Sequence, residues 1–249
     1  MSRSTILGVD IDAMRIDEVL DRIHVAISAG QALSIGVVNA AKLVNMRGDS
    51  ALMDDVSSSD LVLADGMAVV WASRILGVPL PERVSGIDLM YGMMERGQVH
   101  GYRFFLLGAK EEVSEAVENR MQERYPNAIV AGRRNGYFTD TEEEHIAQQI
   151  KASKADILLV AITSPKKERF MAKWRETMNV PIVHGVGGSF DVMSGKVRRA
   201  PSLMQKLGLE WLYRVMQEPG RLAWRYLRTN TLFILYIGRE WLARKSGKA

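Results

Sequence analysis

Asp156-Ile157-Leu158-Leu159-Val160-Ala161-Ile162, a helical run over 165–178, and Val180-Pro181-Ile182-Val183-His184-Gly185-Val186 together decide the fold. The first segment is apolar without alternation, as a strand covered on both faces must be. The helix is long enough to carry the chain back to start a second strand in the same direction. The same grammar extends outward. Strands are read at 33–38, 61–64, 102–107 and 129–131, and helices at 40–47, 67–76, 111–124 and 142–151. Gly77 and Pro79 stop the helix over 67–76, a loop fills 132–139, and Thr139 to Glu142 has capping-box spacing. Such alternation predicts an α/β fold, a mostly parallel sheet with helices on both faces.

The pattern changes near Gly195: strands end, and Trp, Tyr, Leu and Arg accumulate in helical spacing with a break at Glu218-Pro219-Gly220. The predicted organisation is a core over 1–195 and a helical appendage over 196–249. The chain of 249 residues has no cysteine. That excludes thiolate catalysis and a disulfide framework, and fits a reducing compartment. The first apolar stretch is interrupted by Asp10 and Asp12, so no secretory leader is read. The longest purely apolar run, 232–237, falls far short of the ~20 residues of a membrane-spanning helix. A soluble or peripheral protein is expected. Charge is uneven: 196–249 holds twelve basic and three acidic residues, while the rest holds 21 and 26. A basic tail on an acidic body predicts an anionic partner for the tail.

Ligands of open α/β sheets bind at the carboxyl ends of the strands. Four such ends carry polar or glycine-rich residues: Asn39, Asp65-Gly66, Gly108-Ala109-Lys110 and 185–189. Helix N-termini follow three of them, and their N–H groups suit phosphate oxygens. Any one glycine is equally explained by closing a turn; the set favours a nucleotide-like ligand. The Gly185-x-Gly187-Gly188 loop lacks the dinucleotide fingerprint's third spacing. Asp65 reads either as a general base beside a glycine that admits substrate, or as the N-cap of the next helix. Lys166 and Lys167 stand in a first helical turn, where each cation opposes the dipole by roughly 0.3–1 kcal/mol. A bound diphosphate reverses that sign; solvated lysines are the alternative. Asp10-x-Asp12 has metal-holding spacing but leads directly into a helix, so capping is expected. His184 is the one histidine near a candidate site, and packing is its expected role. No His/Asp/Glu cluster has metal-ligand spacing, so neither metal nor cofactor is expected.

In the tail, Arg221, Arg225 and Arg228 share a helix face, with Trp211, Tyr213, Trp224, Tyr226 and Trp241 interleaved. The mixture suits a bilayer interface, a hairpin packed on the core or a partner subunit, or a nucleic-acid backbone. The acidic body and the lack of a nucleic-acid motif weigh against the last.

Several segments occur together in order: Val38-Asn39-Ala40, Ala64-Asp65-Gly66-Met67, Glu82-Arg83-Val84-Ser85-Gly86-Ile87-Asp88-Leu89, Ser164-Pro165-Lys166-Lys167-Glu168, and Gly185-Val186-Gly187-Gly188-Ser189-Phe190-Asp191. Ser194-Gly195, Arg199-Ala200-Pro201 and Gly208-Leu209-Glu210-Trp211-Leu212-Tyr213-Arg214 follow. This set resembles the WecG/TagA/CpsF glycosyltransferase family from about Leu7 to Arg228. The resemblance implies a Rossmann-like core and an inverting, metal-independent transferase. The implied donor is a UDP-sugar carrying a hexose, N-acetylhexosamine or hexuronic acid. The implied acceptor is a polyprenyl-diphosphate-linked sugar in cell-surface polysaccharide synthesis. It makes Asp65 the base. With the strand ends, the substrate-binding set becomes Asn39, Gly66, Arg83, Asp88, Gly108, Lys166, Lys167, Glu168, Gly187, Gly188, Asp191, Arg214 and Arg221. It implies attachment of 196–249 to an anionic membrane surface, at the inner face of the plasma membrane, and no nucleic-acid partner. Either a monomer closes its own site with its tail, or a homo-oligomer hides apolar surface there. The competing reading is a non-catalytic nucleotide-binding module docking a membrane complex. The chain departs from the family at Val37-Val38-Asn39, where Thr-Pro-Asn is usual, and at Lys167, where Gln is frequent. Both positions bear on the donor sugar: Lys167 suits an acidic sugar or the leaving diphosphate.

Overall fold

The computed structural model describes residues 2–247, with Arg221 described by its backbone alone. The chain opens with an antiparallel hairpin, β1 (Arg3–Ile6) and β2 (Val9–Asp12), turning through Leu7 and Gly8. There follow α1 (Ile16–Ala29), β3 (Leu33–Val38), α2 (Ala40–Met46), α3 (Ser50–Ser57), β4 (Leu61–Ala64), α4 (Met67–Ile75) and α5 (Gly86–His100). The second half runs β5 (Arg103–Gly108), α6 (Glu111–Arg124), β6 (Ile129–Arg134), α7 (Glu143–Ala152), β7 (Ile157–Ala161), α8 (Lys166–Met178), β8 (Ile182–Gly185) and α9 (Ser189–Met193). Three helices close the chain: α10 (Ser202–Lys206), α11 (Glu210–Gln217) and α12 (Pro219–Lys245).

Six strands form one wholly parallel sheet in the order β4-β3-β8-β7-β5-β6. Side chains alternate across it. Ile35, Val37, Leu61, Leu63, Phe104, Leu106, Ile157, Leu159 and Ile182 enter the layer under α1, α5 and α6. Phe105, Leu107, Leu158, Val160 and Val183 face α7 and α8, while Val38, Val62 and Ala64 face α2, α4 and the hairpin. Both faces are dry, which is why the strand sequences carry no polar alternation.

Two local readings are corrected. β6 extends to Arg134, into the stretch read as loop. Asp10 and Asp12 do not cap α1. Asp12 is buried, accepts from the Val62 backbone N–H (2.9 Å) and pairs with Arg3 (2.9 Å), while Asp10 accepts from Thr5 (2.6 Å). These acids pin the hairpin to itself and to β4; the first turn of α1 is capped by Glu18 and Glu82 instead. Thr139 and Glu142 do form their capping box, on a single 3-10 turn leading into α7.

The C-terminal helices carry two faces. On α12, Leu222, Thr229, Phe233 and Ile237 are buried, and Phe233 and Ile237 join the core beside α2. On the other side Trp224, Leu227, Ile234, Leu235 and Leu242 are exposed, with Arg225 and Arg228 among them. So α12 is packed on the core and still presents an apolar, basic face. No helix among the described residues is long and apolar enough to cross a membrane.

Candidate active site

The parallel sheet puts every strand's carboxyl end on one edge, and the predicted residues collect there. Asp65 follows β4 and is held by its backbone N–H on Val38 O (2.8 Å). Gly66, at φ +138°, makes the N-cap of α4 without a side-chain cap. Asp65 is therefore free of the capping role. Its carboxylate makes no hydrogen bond among the described residues, and the residue stays half-buried at the carboxyl edge of the sheet. Burial pushes its pKa up; Arg214 and Arg83 pull it back, Glu210 pushes it up, and Lys42 pulls it down. A carboxylate shifted toward neutrality and reachable from solvent suits proton abstraction.

Asn39 caps α2, accepting from the Lys42 backbone N–H at 3.0 Å. The loop before α5 is drawn to Asp65 by Val84 N–H on Ala64 O (2.9 Å), which delivers Arg83. Arg83 donates to Glu210 (3.0 Å) and to Asp88 (3.1 Å). Asp88 also receives Ser85 and Arg199, and Arg199 reaches Glu210 at 3.9 Å. This network of two arginines and two acids ties the start of α11 to the core. One turn further along α11, Arg214 comes within 3.7 Å of where a Cβ on Gly188 would lie. Among the described residues Arg214 has no acidic partner, leaving its charge for the cleft.

Lys166 and Lys167 part company. Lys166 turns to the loop after β6, donating to Phe138 O (2.7 Å) and lying 4.3 Å over the Phe138 ring. Lys167 is buried against Gly185 and Glu168, with 3.2 Å from Nζ to Glu168 Oε1. The same oxygen accepts from Lys42 Nζ at 2.7 Å. Neither lysine of the motif is a solvated surface group. Burial alone would push Glu168 up, but Lys167 and Lys42 bring it down to about 2. Burial and then Lys167 lower Lys42 to about 8, against the pull of Glu168. His184 lies fully buried, its ring nitrogens facing Gly86 O (3.3 Å) and Ile35 O (3.4 Å). Burial drives its pKa down to about 4, against those two carbonyls. It is a neutral packing group.

Gly108 is required by packing: at φ +126°, a Cβ there would lie 2.4 Å from Ala161 O. Gly187 and Gly188 form the turn into α9, and Asp191 on α9 pairs with Lys196 (3.1 Å). The backbone of Arg221 lies in α12; its side chain lies outside the described residues. The cleft thus gathers Asn39, Asp65, Gly66, Arg83, Gly188 and Arg214, with the Lys42–Glu168–Lys167 cluster beside it, while Lys166 and Asp191 are engaged elsewhere. Lys42, Arg199 and Glu210 were not singled out from sequence; the spacing of Lys42 three residues past a cap was the only signal for it. No group of three or more His, Asp or Glu side chains among the described residues is arranged to hold a metal ion.

The glycosyl transferase WecG/TagA/CpsF family model matches residues 4–247. The chain is also 38% identical over 182 residues to an N-acetylglucosaminyldiphosphoundecaprenol N-acetyl-beta-D-mannosaminyltransferase of Bacillus spizizenii, covering 73% of this chain and 69% of that relative. A match over nearly its whole length, on a parallel sheet whose carboxyl edge gathers the motif residues, establishes that this chain belongs to the WecG/TagA/CpsF glycosyltransferase family.

Proposed function

We propose that this chain is an inverting, metal-independent transferase. It moves one sugar from a UDP-sugar to a polyprenyl-diphosphate-linked sugar during cell-surface polysaccharide synthesis. The observation that carries the reading is the placing of Asp65 within the electrostatic reach of Arg214: a carboxylate without a hydrogen bond among the described residues, raised by burial and pulled back by an arginine that lies over Gly188. Asp65 removes the proton from the acceptor hydroxyl as that oxygen attacks the anomeric carbon from the face opposite UDP. The glycosyl C–O bond to the diphosphate breaks, and the departing charge is taken by Arg214 and the N–H groups of the Gly187–Gly188 turn. Arg83 positions the cleft through Asp88 and Glu210. The relative's name, a transferase acting on a diphosphoundecaprenol-linked N-acetylglucosamine, supports an acceptor of that class.

Replacing Asp65 by Asn is expected to cut transfer by ~10²–10⁴-fold while UDP binding by calorimetry stays nearly intact. Unchanged transfer removes Asp65 from the role.

The same reading places the protein peripherally on the inner face of the plasma membrane, through the exposed face of α12. Basic residues near anionic lipid contribute about 1 kcal/mol each. The full-length Arg225→Glu/Arg228→Glu variant is expected to lose co-sedimentation with phosphatidylglycerol vesicles. Undiminished binding would send the membrane contact elsewhere.

A further inference from the structure

A cavity of about 340 Å³ lies along the last third of α12, away from the cleft. The helices α2 and α4 start at the carboxyl edge of the sheet and run away from it, and the cavity sits near where they end. Arg47 follows the last turn of α2. Arg244, one turn past Glu240 on α12, donates to Leu76 O after α4 (3.1 Å) and to Thr5 O in β1 (2.7 Å). The hairpin turn at Leu7 and Gly8, Arg47, and Tyr236, Arg239 and Glu240 of α12 line the space.

Glu240 is the one acid of this lining, and it is already engaged. It accepts from the Leu7 backbone N–H (2.9 Å) and from Arg244 (2.6 Å). Two arginines remain. The Arg47 guanidinium lies over the Tyr236 ring, 4.8 Å from its centroid. Among the described residues neither Arg47 nor Arg239 has a hydrogen bond or an acidic partner, and the Tyr236 hydroxyl has no hydrogen bond. The dipole of α2 accounts for a cation at Arg47. It does not account for Arg239, which stands more than a turn before the end of α12.

Stacking on the ring fixes the plane of the Arg47 guanidinium and leaves its N–H edges free. Such forks match anionic oxygens in pairs. Two forks from different elements, with a phenol hydroxyl between them, ask for acceptor oxygens in more than one plane. A carboxylate offers one plane, whereas a tetrahedral phosphate offers several. The volume is at the lower end of the roughly 300–1,000 Å³ of small-molecule sites, enough for a phosphate carrying a small alcohol.

We propose that Arg47, Tyr236 and Arg239 form a second anion site, for a phosphate ester, at the side of the molecule away from the cleft. Two sources carry that chemistry. One is a soluble phosphate ester. The other is a phospholipid headgroup, beside which Leu235 and Leu242, exposed one turn to either side of Arg239, offer apolar surface. The site is separate from the cleft, and its occupation does not depend on what the cleft binds.

The test uses Arg47→Lys/Arg239→Lys in the full-length protein, with UDP present in excess to occupy the cleft. The variant keeps both charges and loses both forks, so diffuse attraction to anions is unchanged while a built site is not. A urea midpoint equal to the parent's shows that the fold is kept. One arm titrates inorganic phosphate and glycerol 3-phosphate by calorimetry; the other measures co-sedimentation with phosphatidylglycerol vesicles. The variant is expected to weaken binding by about 10-fold or more in one arm, the scale of a charge-assisted hydrogen bond. Weakening in the calorimetric arm identifies a soluble ester, and weakening confined to vesicles identifies a headgroup. Parent-like binding by the variant in both arms overturns the proposal. So does a parent protein that binds neither probe, without requiring any variant to fold.

Discussion

Two clusters of charge flank the cleft, and they are built differently. Arg83, Asp88, Arg199 and Glu210 count two of each sign, with side chains 15–31% exposed. Lys42, Glu168 and Lys167 count two against one and are at most 10% exposed. The first is neutral in itself and half-wet, so it holds α11 to the core with nothing bound. The second shares one carboxylate oxygen between two ammonium groups where water does not reach, and Asp65 acts on Lys42 without forming an ion pair with it. Ion pairs in contact with solvent contribute little each, whereas a buried charge stripped of its partner is strongly destabilising. Balance and partial exposure mark the cluster that fastens α11, whereas the buried cluster depends on one shared oxygen of Glu168.

The largest effect expected from breaking that contrast is on stability. Glu168→Gln leaves two buried lysines without the acid they share, and should destabilise the fold by roughly 3–5 kcal/mol. The pH dependence has a definite sign. Glu168 is depressed from 4.5 to about 2, so its stabilising contribution is complete above pH 4.5 and is lost as pH falls through about 2. Lys42 is depressed from 10.5 to about 8, so the folded form sheds its proton first and stability rises with pH between those values. Without Glu168 the pKa of Lys42 falls further, and this rise should begin below pH 8. Urea midpoints from pH 5 to 9 would show it. A variant as stable as the parent, with the same pH profile, would mean that the cluster is wet and the contrast false.

A second effect is kinetic and concerns the balanced cluster. Arg214 lowers the pKa of Asp65 and Glu210 raises it. The base must be ionised, so kcat/KM rises with pH through the Asp65 pKa of the free enzyme. Arg214→Gln should move that acid limb to higher pH, and Glu210→Gln to lower pH. Shifts in the same direction from both would detach the limb from Asp65.

The sheet was legible because a strand buried on both faces has nowhere to keep polar residues, and 156–162 and 180–186 have almost none. α5 was not legible. Its glycines and methionines are poor helical signals, yet Gly92 and Gly97 are there because Cβ atoms would come 2.7 Å from Leu20 and Phe104. Tertiary packing overrides propensity at such places. The hairpin is two short strands whose acids act on each other and on β4, a role that spacing alone presents as capping. Among the site residues, Asp65 was visible as a carboxylate at a strand end, but base and cap differ by a one-residue shift that only Gly66 resolves. The clusters were invisible as clusters. Lys42 meets Glu168 across 126 positions and Arg83 meets Glu210 across 127, and no local pattern records pairings of that range.

The smallest effect separates two neighbours. Lys166 and Lys167 are adjacent in sequence but about 100° apart around a helix of 3.6 residues per turn. One therefore points to the loop at Phe138 and the other into the sheet at Gly185. Lys166 is 35% exposed and its contacts are a backbone carbonyl, a ring face and the exposed Asp140 at 3.9 Å. Lys166→Gln is expected to lower stability by only about 1 kcal/mol, the worth of one hydrogen bond, with no dependence on pH between 5 and 9. A loss matching that of Glu168→Gln would mean that burial does not divide these two lysines.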